Sequence, residues 1–344
     1  AVTATSTAPP HMLSTQHQAI LEVLRGAVEK ARRNHEGAPA DYIPELARVD
    51  LEALSAAVTC LDGATLVAGD AATHRFTFQS TAKLLLLAGL LEERGPVEVF
   101  RLVGSEPSGQ DFASVARLET HGPRPANPLV NAGAIALAGQ LRGTVEQRVA
   151  WVLDWAERLY GTRIGIDDAV RLSESATANR NRAIAYMLRH NGILDSDVEA
   201  TLAGYFALCS LSGSIQAAAH LPAVLANGGR EPLSGRRLLS PATVAIVVSL
   251  MATCGMYNES GNYLVATGMP AKSGVSGVIV AVVPGVAGVA VCSPRLNDKG
   301  GSVRGHIMLR HLSRHLRWHF ALASAELGAE LDRAAAHPSL EADG

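Results

Sequence analysis

The chain has 344 residues, ample for one large hydrophobic core, and its 30 lysines and arginines nearly balance 32 aspartates and glutamates. The resulting net charge of -2 provides no positive field for wrapping nucleic acid and no polybasic membrane anchor, so neither partner is expected. Hydrophobic residues make up 48% of the chain and charged residues 18%, which excludes disorder for most of it.

No apolar stretch is long enough to cross a bilayer, and a soluble protein is therefore expected. Residues 1–14 contain no charged segment followed by an apolar block, so we interpret them as a flexible N-terminal segment and not as a secretory signal. The four cysteines are widely spaced, without a Cys-x-x-Cys pair. That spacing favours reduced thiols and a cytoplasmic location over a zinc site or a disulfide framework.

The first predicted elements are a helix and a β-hairpin. Apolar residues at helical spacing predict the helix over about 15–33. The segments 56–61 and 64–68 flank Asp62-Gly63, a pair typical of the two-residue type I′ turn of a tight hairpin. A second helix is predicted to open at Ser80 and to continue through an apolar run.

Helical signals dominate the middle of the chain, and strand signals return after it. Residues 143–254 show almost only helical patterns, beginning with a capping box at 144–147. Two apolar segments, 278–283 and 286–292, flank a Pro-Gly turn and predict paired core strands. A long amphipathic helix is predicted over about 303–336.

Together these elements predict the fold class α+β. Strands at both ends of a helical middle indicate one antiparallel sheet with flanking helices and an inserted helical subdomain. We expect a single domain over 15–336, with its sheet part at 15–95 and 260–336 and its helical part at about 96–259. Residues 337–344 are expected to form a short tail.

The most informative short pattern is Ser80-Thr81-Ala82-Lys83. Residues three apart lie on one face of a helix, so the Lys83 amine can reach the Ser80 hydroxyl, which is a poor nucleophile without a base beside it. Taken alone, four residues favour a serine N-cap with a surface lysine. Only four of the 30 cations are lysines, however, and an ammonium can deprotonate whereas a guanidinium cannot. This composition favours a chemical role for particular lysines.

Another lysine stands in Lys272-Ser273-Gly274, immediately before the predicted strand pair. Ser-x-x-Lys followed by Lys-Ser-Gly forms the outer two elements of the signature of penicillin-recognising serine acyl-transferases. In that arrangement the charge of Lys272 faces the nucleophile across a cleft, where it attracts a substrate carboxylate and lowers the proton affinity of Lys83. The two patterns predict a serine nucleophile with a lysine base.

Six segments together resemble the serine-dependent glutaminases. They are YIPELA at 42–47, QSTAK at 79–83, EPSG at 106–109, NPLVNAGAI at 127–135, CGMY at 254–257 and PAKSGV at 270–275. They occur in order over most of the chain, and the NPLVNAGAI block is highly specific to the family. The resemblance implies a beta-lactamase/penicillin-binding-protein-like fold. It also implies hydrolysis of L-glutamine to L-glutamate and ammonia through an acyl-serine intermediate.

The resemblance further implies a role for each site residue. Ser80 is the implied nucleophile, Lys83 its base, and Tyr257 the group that passes a proton to departing ammonia. The backbone amides of Ser80 and Val275 are expected to stabilise the oxyanion, with Lys272 supporting the site. The residues implied to line the glutamine pocket are Tyr42, Ser80, Asn131, Glu174, Asn181, Tyr205, Tyr257 and Val275.

Several of these residues have simpler interpretations when taken singly. Without the resemblance, Glu174 favours a solvated helix charge and Tyr205 favours a core aromatic. The chain also departs from the family pattern at four positions, Ala113, Asn258, Ser276 and Val278. The last two replace glycines beyond Val275, where we expect them to stiffen the oxyanion loop at the expense of turnover.

No metal or organic cofactor is expected. Histidines at 311, 315 and 319 have metal-like spacing, but arginines surround them, which favours a solvated basic face. The expected partner is L-glutamine as substrate, and the resemblance implies a homodimer or homotetramer. Alternative functions are a beta-lactam hydrolase or D-Ala peptidase on the same scaffold, and a catalytically weak glutamine-binding protein.

Overall fold

In the computed structural model, the described residues are 13–109, 114, 118 and 122–322. The strands are β1 Ser55–Cys60, β2 Thr65–Gly69, β3 Phe76–Thr77, β4 Gly165–Ile166, β5 Leu211–Gly213, β6 Ala271–Ser273, β7 Val278–Val283 and β8 Ala287–Cys292. The α-helices are α1 Thr15–Arg32, α2 Pro44–Ala47, α3 Lys83–Leu102, α4 Asn131–Ala138, α5 Val145–Tyr160, α6 Asp168–Thr177, α7 Asn179–His190, α8 Val198–Cys209, α9 Ile215–Ala226, α10 Pro241–Cys254, α11 Ser260–Thr267 and α12 Val303–Leu316. Among these residues no single helix is long and apolar enough to span a membrane, and only one pair, 241–254 with 257–267, bent by 80°, meets that criterion jointly.

A five-stranded antiparallel sheet joins early and late parts of the chain. Its order is β2-β1-β8-β7-β6, so β1 pairs with β8, and Val58 lies opposite Val289. Every residue of β1, β7 and β8 is buried, which accounts for their nearly continuous apolar sequences. The sheet and its flanking helices confirm the predicted α+β class.

Alternate residues of the central strands pack against different layers of helices. On one face, Val58 and Val289 share a hydrophobic cluster with residues of α1 and α12. On the other face, Ala57 and Ala290 join the larger core that contains α9 and the helical middle. Helix α9 lies unusually close to the sheet, because a Cβ on Gly288 would stand only 2.1 Å from the backbone of Ala223. The sheet is therefore the middle layer between two sets of helices.

The first hairpin turns differently from the prediction. The Cys60 amide donates to the Ala64 carbonyl at 2.8 Å, which leaves 61–63 as a three-residue loop. Gly63 has φ +90°, but Asp62 is not among the described residues with positive φ, whereas a type I′ turn needs positive φ at both positions. The predicted type I′ turn is wrong. The Asp62 carboxylate instead accepts from the Ala64 amide at 3.1 Å and stabilises the longer loop.

The helical middle begins as predicted, with one addition. Thr144 and Gln147 form the predicted reciprocal capping box, and α5 ends at Gly161 in the left-handed conformation. A second, small sheet of order β3-β5-β4 was not predicted, because strands of two or three residues carry no detectable periodicity. It bears on function because β3 leads directly into Ser80.

The last helix is shorter than predicted. Helix α12 ends at Leu316, since Arg317 adopts a left-handed conformation with φ +53°. The Trp318 amide then donates to the Ser313 carbonyl at 3.0 Å, and the Trp318 ring is buried in the core. Packing of this ring favours a chain reversal over continued helix, so the prediction of one helix to about 336 is wrong; residues 323–336 lie outside the described residues.

A buried arginine fixes the loop between α1 and β1. The Arg304 guanidinium donates to the carbonyl oxygens of Asn34 and Leu51 at 2.7 and 3.2 Å. It also donates to Glu52 Oε2 at 2.8 Å, and hydrogen bonds from Arg304 and Arg295 lower the pKa of Glu52 to about 2. This network ties the start of α12 to the loop that carries part of the candidate site.

Replacing Arg304 with methionine is expected to destabilise the fold by about 2 to 4 kcal/mol, because the charge-assisted hydrogen bonds of a fully buried guanidinium to two carbonyl oxygens and to Glu52 are lost. The melting temperature should then fall by roughly 3 to 6 °C. Thermal unfolding followed by circular dichroism checks this, with the exposed Arg310→Met on the same helix as control. Equal melting of the two variants would contradict the structural role of Arg304.

Candidate active site

The turn that carries Ser80 begins at the end of β3. Residues Gln79–Ala82 form a 3-10 turn, and α3 begins only at Lys83. The predicted start of this helix at Ser80 is therefore three residues too early. Gln79 has φ +48°, a conformation that costs a non-glycine residue energy and that clusters at functional sites. The Phe78 amide donates to the Leu211 carbonyl at 2.7 Å, which anchors the turn to β5. Ser80 is half-buried at the start of this turn.

Lys83, three residues after Ser80, is buried, with only 1% of the residue exposed. Its Nζ donates to Asn131 Oδ1 at 2.7 Å and to the Leu129 carbonyl at 3.2 Å. Both acceptors are uncharged, so no carboxylate pairs directly with the amine. Burial outweighs the opposing influence of Cys209 and Glu174 and lowers the pKa of Lys83 to about 8. The interpretation of Lys83 as a surface lysine is wrong.

Lys272 is also completely buried, on β6 of the main sheet. Its Nζ donates to the Ser273 carbonyl at 2.7 Å and lies 3.9 Å from the centre of the Tyr257 ring. Burial and then the charge of Lys83 lower the pKa of Lys272 well below its usual value. Repulsion between two buried ammonium groups acts on both, so the charge of each lysine disfavours the charge of the other, and their titration belongs to the pair.

The Tyr257 ring lies beside both buried lysines. Lys83 Nζ is 5.7 Å from the ring centre, on the same aromatic system that Lys272 contacts. Tyr257 begins a 3-10 turn with φ +53°. It and Gln79 are two of the three described non-glycine residues with positive φ. Backbone strain is therefore concentrated around Ser80 and its neighbours.

Two asparagines extend the polar surface away from Lys83. Asn131, the first residue of α4, accepts from Lys83 through its oxygen and donates through Nδ2 to Asn181 Oδ1 at 3.2 Å. Asn181 is in the first turn of α7 and is half-buried. The amide of Asn181 can therefore meet a ligand while Asn131 stays bound to the lysine.

Glu174, on α6, is a buried carboxylate and not the solvated charge that its isolated pattern favoured. Only 7% of it is exposed, and burial raises its pKa. The Tyr42 hydroxyl lies 2.9 Å from Glu174 Oε1 and 3.1 Å from Gln79 Oε1. Tyr42 itself is 44% exposed, so it covers the carboxylate from the solvent side. Among the ion pairs of the described residues, Glu174 has none, which leaves it able to receive a ligand cation.

Tyr205 is both a core residue and a neighbour of the site. It is buried on α8 with its ring 6.0 Å from Phe206, as the surrounding pattern predicted. Its hydroxyl lies within electrostatic range of Glu174, Tyr257 and Cys209. Burial raises the pKa of Tyr205, so the hydroxyl keeps its proton and can donate it in a hydrogen bond.

Val275 occupies a tight turn between β6 and β7. The Gly277 amide donates to the Gly274 carbonyl at 3.0 Å, which places Val275 at the turn's first central position. The turn lies against the Ser80 turn, because a Cβ on Gly274 would be 3.0 Å from the Phe78 carbonyl oxygen and 3.2 Å from Gln79 Cβ. Contacts thus link the predicted site residues into one cluster.

Sequence reasoning missed two members of this cluster. The sequence assigns Gln79 no role beyond its place in a motif, yet its side chain contacts Tyr42. The Cys209 thiol lies close enough to Lys83 and Glu174 to interact with both. Cys209 stands four residues after Tyr205 on α8, a spacing that puts both on one helix face and that was the available signal.

One group of potential metal ligands occurs among the described residues, namely His17, Cys60 and Asp62, none of which is a predicted site residue. His17 Nε2 lies 3.0 Å from Asp62 Oδ2. The Ser14 amide donates to His17 Nδ1 at 3.4 Å, so the ring proton sits on Nε2, the atom that a metal at this position needs free. Burial also raises the pKa of the Cys60 thiol to about 11. These contacts fit a helix cap better than a metal site.

The fold and the cluster together define the class, an α+β protein of the beta-lactamase-like kind with a Ser-x-x-Lys site. A family model described as Glutaminase matches residues 37–320. The chain belongs to the glutaminase family, which confirms the resemblance read from the six segments.

Individual relatives agree along nearly the whole chain. The chain is 50% identical over 302 residues to a glutaminase from Legionella pneumophila strain Paris, which covers 88% of this chain and 97% of that protein. The solved structure of a probable glutaminase, ybaS, has a TM-score of 0.85 at 38% identity, and the match covers 89% of this chain and 98% of the ybaS chain. The structure of Mglu in its glutamate form has a TM-score of 0.83 at 36% identity, and the match covers 87% of this chain and 69% of the Mglu chain.

Proposed function

We propose that this protein hydrolyses L-glutamine to L-glutamate and ammonia through an ester on Ser80 Oγ. The observation that carries the proposal is the buried Lys83 amine, which lies one turn after Ser80 and contacts only uncharged acceptors at hydrogen-bond distance. Membership of the glutaminase family supports the substrate, as does the solved glutamate form of the similar protein Mglu.

The first step is attack of Ser80 on the glutamine side-chain amide. Neutral Lys83 takes the Ser80 hydroxyl proton as Oγ bonds to the amide carbon, and the carbonyl oxygen becomes an oxyanion. Backbone amides of Ser80 and Val275 stabilise that oxyanion, a contribution of about 3 kcal/mol per donor in comparable enzymes. Backbone donors suit this task because they are held in place before the reaction.

The remaining residues recognise the amino-acid end of glutamine. The Glu174 carboxylate, buried and without an ion-pair partner among the described residues, pairs with the substrate α-ammonium. Asn131 and Asn181 hydrogen-bond the carboxylate or the amide, and Tyr205 donates its hydroxyl proton in a hydrogen bond. Tyr42 covers the ligand from the solvent side. A bound substrate carboxylate favours the protonated form of Lys272, which then supplies the positive charge that pairs with it.

Collapse of the tetrahedral intermediate breaks the carbon–nitrogen bond. Tyr257 passes the proton to the nitrogen as ammonia leaves, and Lys83 resupplies it, a role that the position of the Tyr257 ring beside both lysines supports. Water then attacks the acyl-Ser80 ester with Lys83 again accepting a proton. Release of L-glutamate regenerates the Ser80 hydroxyl.

Ammonia release from glutamine, set against opening of the beta-lactam nitrocefin, tests the proposal. The expected result is ammonia from glutamine with nitrocefin unchanged. Nitrocefin hydrolysis without ammonia release would identify a beta-lactam hydrolase and overturn the proposal. Equilibrium glutamine binding with no turnover from pH 6 to 9 would identify a catalytically weak binding protein and would equally overturn it.

Activity is expected to rise with pH through about 8. Only the neutral Lys83 amine can accept the Ser80 proton, and burial lowers the pKa of Lys83 to about 8, so its neutral fraction grows about tenfold per pH unit below that value. Because Lys272 shares the site, the observed midpoint belongs to the pair. Measurement of kcat/KM from pH 6.5 to 9.5 checks this, and a flat profile would contradict it.

The assembly and compartment are part of the same proposal. All four cysteines are free and buried, which supports a reducing compartment such as the cytoplasm. The proposed working form is a homodimer or homotetramer, with residues 15–336 as one catalytic domain. A light-scattering mass of one 36.0 kDa chain at working concentration would contradict the oligomer.

A further inference from the structure

The two backbone amides proposed to hold the oxyanion come from distant parts of the chain. Ser80 follows β3, whereas Val275 lies in the turn between β6 and β7. One buried residue, Thr77 at the end of β3, contacts the neighbours of both. Its Oγ1 accepts from Gln79 Nε2 at 3.0 Å, and its carbonyl oxygen accepts from Ser276 Oγ at 2.7 Å. Thr77 thus connects the two turns on their buried side.

The Ser80 half of this connection holds a strained backbone in place. Gln79 has φ +48° and immediately precedes Ser80, so the orientation of Gln79 sets the direction of the Ser80 amide. The Gln79 side chain is fixed at one end by Thr77 and at the other by the Tyr42 hydroxyl. Such hydrogen bonds offset the cost of the left-handed conformation.

The Val275 half is fixed by the Ser276 hydroxyl. Ser276 is 7% exposed and is the second central residue of the turn that begins at Gly274. Its carbonyl oxygen also accepts a weak hydrogen bond from Cys292 Sγ at 3.8 Å, and the Ser293 amide donates to the Gly277 carbonyl at 3.1 Å. The turn is therefore tied to β3 on one side and to the end of β8 on the other.

We propose that Ser276 is a positioning residue that, through Thr77, fixes the Val275 amide relative to the Ser80 amide. The inference rests on the proposed function, because it presumes that these amides hold the oxyanion. Ser276 is one of the positions where this chain departs from the glutaminase pattern. The pattern has a glycine there, and a glycine has no hydroxyl to donate. Its hydrogen bond to Thr77 favours turnover, the opposite of the loss expected from the sequence, because donors held in advance need no reorganisation in the transition state.

Ser276→Ala tests the hydroxyl directly. Loss of a whole oxyanion donor costs about 10² to 10³ in kcat, so a donor that is only displaced is expected to cost about tenfold in kcat, with KM for glutamine nearly unchanged. Ser313→Ala is the matched control, because Ser313 is a buried serine that donates to the Thr267 carbonyl away from the site. The control should match Ser276→Ala in thermal melting but keep wild-type kcat.

A boronic acid in which the glutamine carboxamide is replaced by B(OH)2 separates positioning from general damage. Ser80 Oγ bonds to boron as its proton passes to Lys83, and one boronate oxygen takes the oxyanion position. Ser276→Ala should weaken this inhibitor by about the same factor as kcat/KM, and leave L-glutamate affinity unchanged.

A second pair of variants tests the Thr77 connection without touching Ser276. Thr77→Val removes the hydroxyl that accepts from Gln79 and should lower kcat, whereas Thr77→Ser keeps that acceptor and should restore it. Two results would overturn the inference while leaving the proposed function intact. One is a Ser276→Ala variant with wild-type kcat and wild-type affinity for the boronic acid. The other is a Ser276→Ala variant that binds the boronic acid and L-glutamate more weakly by the same factor. A wild-type protein that releases no ammonia from glutamine would overturn the proposed function and the inference with it.

Discussion

Replacing Lys83 with arginine is expected to lower glutamine turnover by at least about a hundredfold, because general bases contribute about 10² to 10⁴. A guanidinium keeps the positive charge but does not deprotonate in a protein, so Ser80 loses its base. The Lys83 amine, by contrast, has its pKa lowered to about 8 by burial and is partly neutral at working pH. Steady-state ammonia release at pH 8 measures the effect.

Two further variants separate loss of the base from loss of the fold. In Lys83→Met an uncharged side chain of similar volume fills a site that is 1% exposed. This variant should melt within a few degrees of wild type and should lose as much turnover as Lys83→Arg. Lys299→Arg changes an exposed lysine and should keep both properties. Near-native turnover in either Lys83 variant would show that Lys83 is not the base.

The Ser80→Ala variant is expected to lose at least about 10⁴ in kcat, the scale seen when a nucleophile is removed from an acyl-transfer site. Only one oxygen atom is removed, and Ser80 is half-buried, so the fold and the contacts to the amino-acid end of the substrate should survive. Acid-quenched wild-type enzyme should carry an added glutamyl group by intact mass, and the variant should carry none.

The control for Ser80→Ala is Ser249→Ala, which changes an exposed serine on α10 and should keep wild-type kcat. Calorimetry should show L-glutamate binding in Ser80→Ala within about threefold of wild type. An acyl group trapped on the Ser80→Ala protein, or turnover within tenfold of wild type, would refute an ester at Ser80.

Sequence patterns predicted the features that depend on local spacing. Strands β7 and β8 were found because their residues are buried throughout, which leaves an uninterrupted apolar run. The capping box at Thr144 was found because its residues are three apart. Ser80 and Lys83 could be paired for the same reason, and the order of the motifs was enough to bring Lys272 to them.

Contacts between distant residues could not be predicted in this way. The burial of Glu174 depends on Tyr42, which reaches it from a loop far earlier in the chain. The end of α12 depends on where the Trp318 ring packs, not on the helical pattern that continues past it. The hydrogen bond from Ser276 to Thr77 joins residues 199 positions apart. The sequence therefore showed that Ser276 departs from the family pattern but could not show that its hydroxyl binds Thr77.

The order of strands in the main sheet has a consequence for biosynthesis. Strands β1 and β2 are made before Ser80. Strand β8, which pairs with β1, strand β6 with Lys272 and the turn with Val275 are made after the whole helical middle. A nascent chain that has reached residue 260 therefore holds its nucleophile but exposes one unpaired edge of β1, a template for pairing with other chains. We therefore expect newly made protein to be inactive and open to aggregation until the last strands emerge, and we expect the final pairing, over such long sequence separations, to be slow.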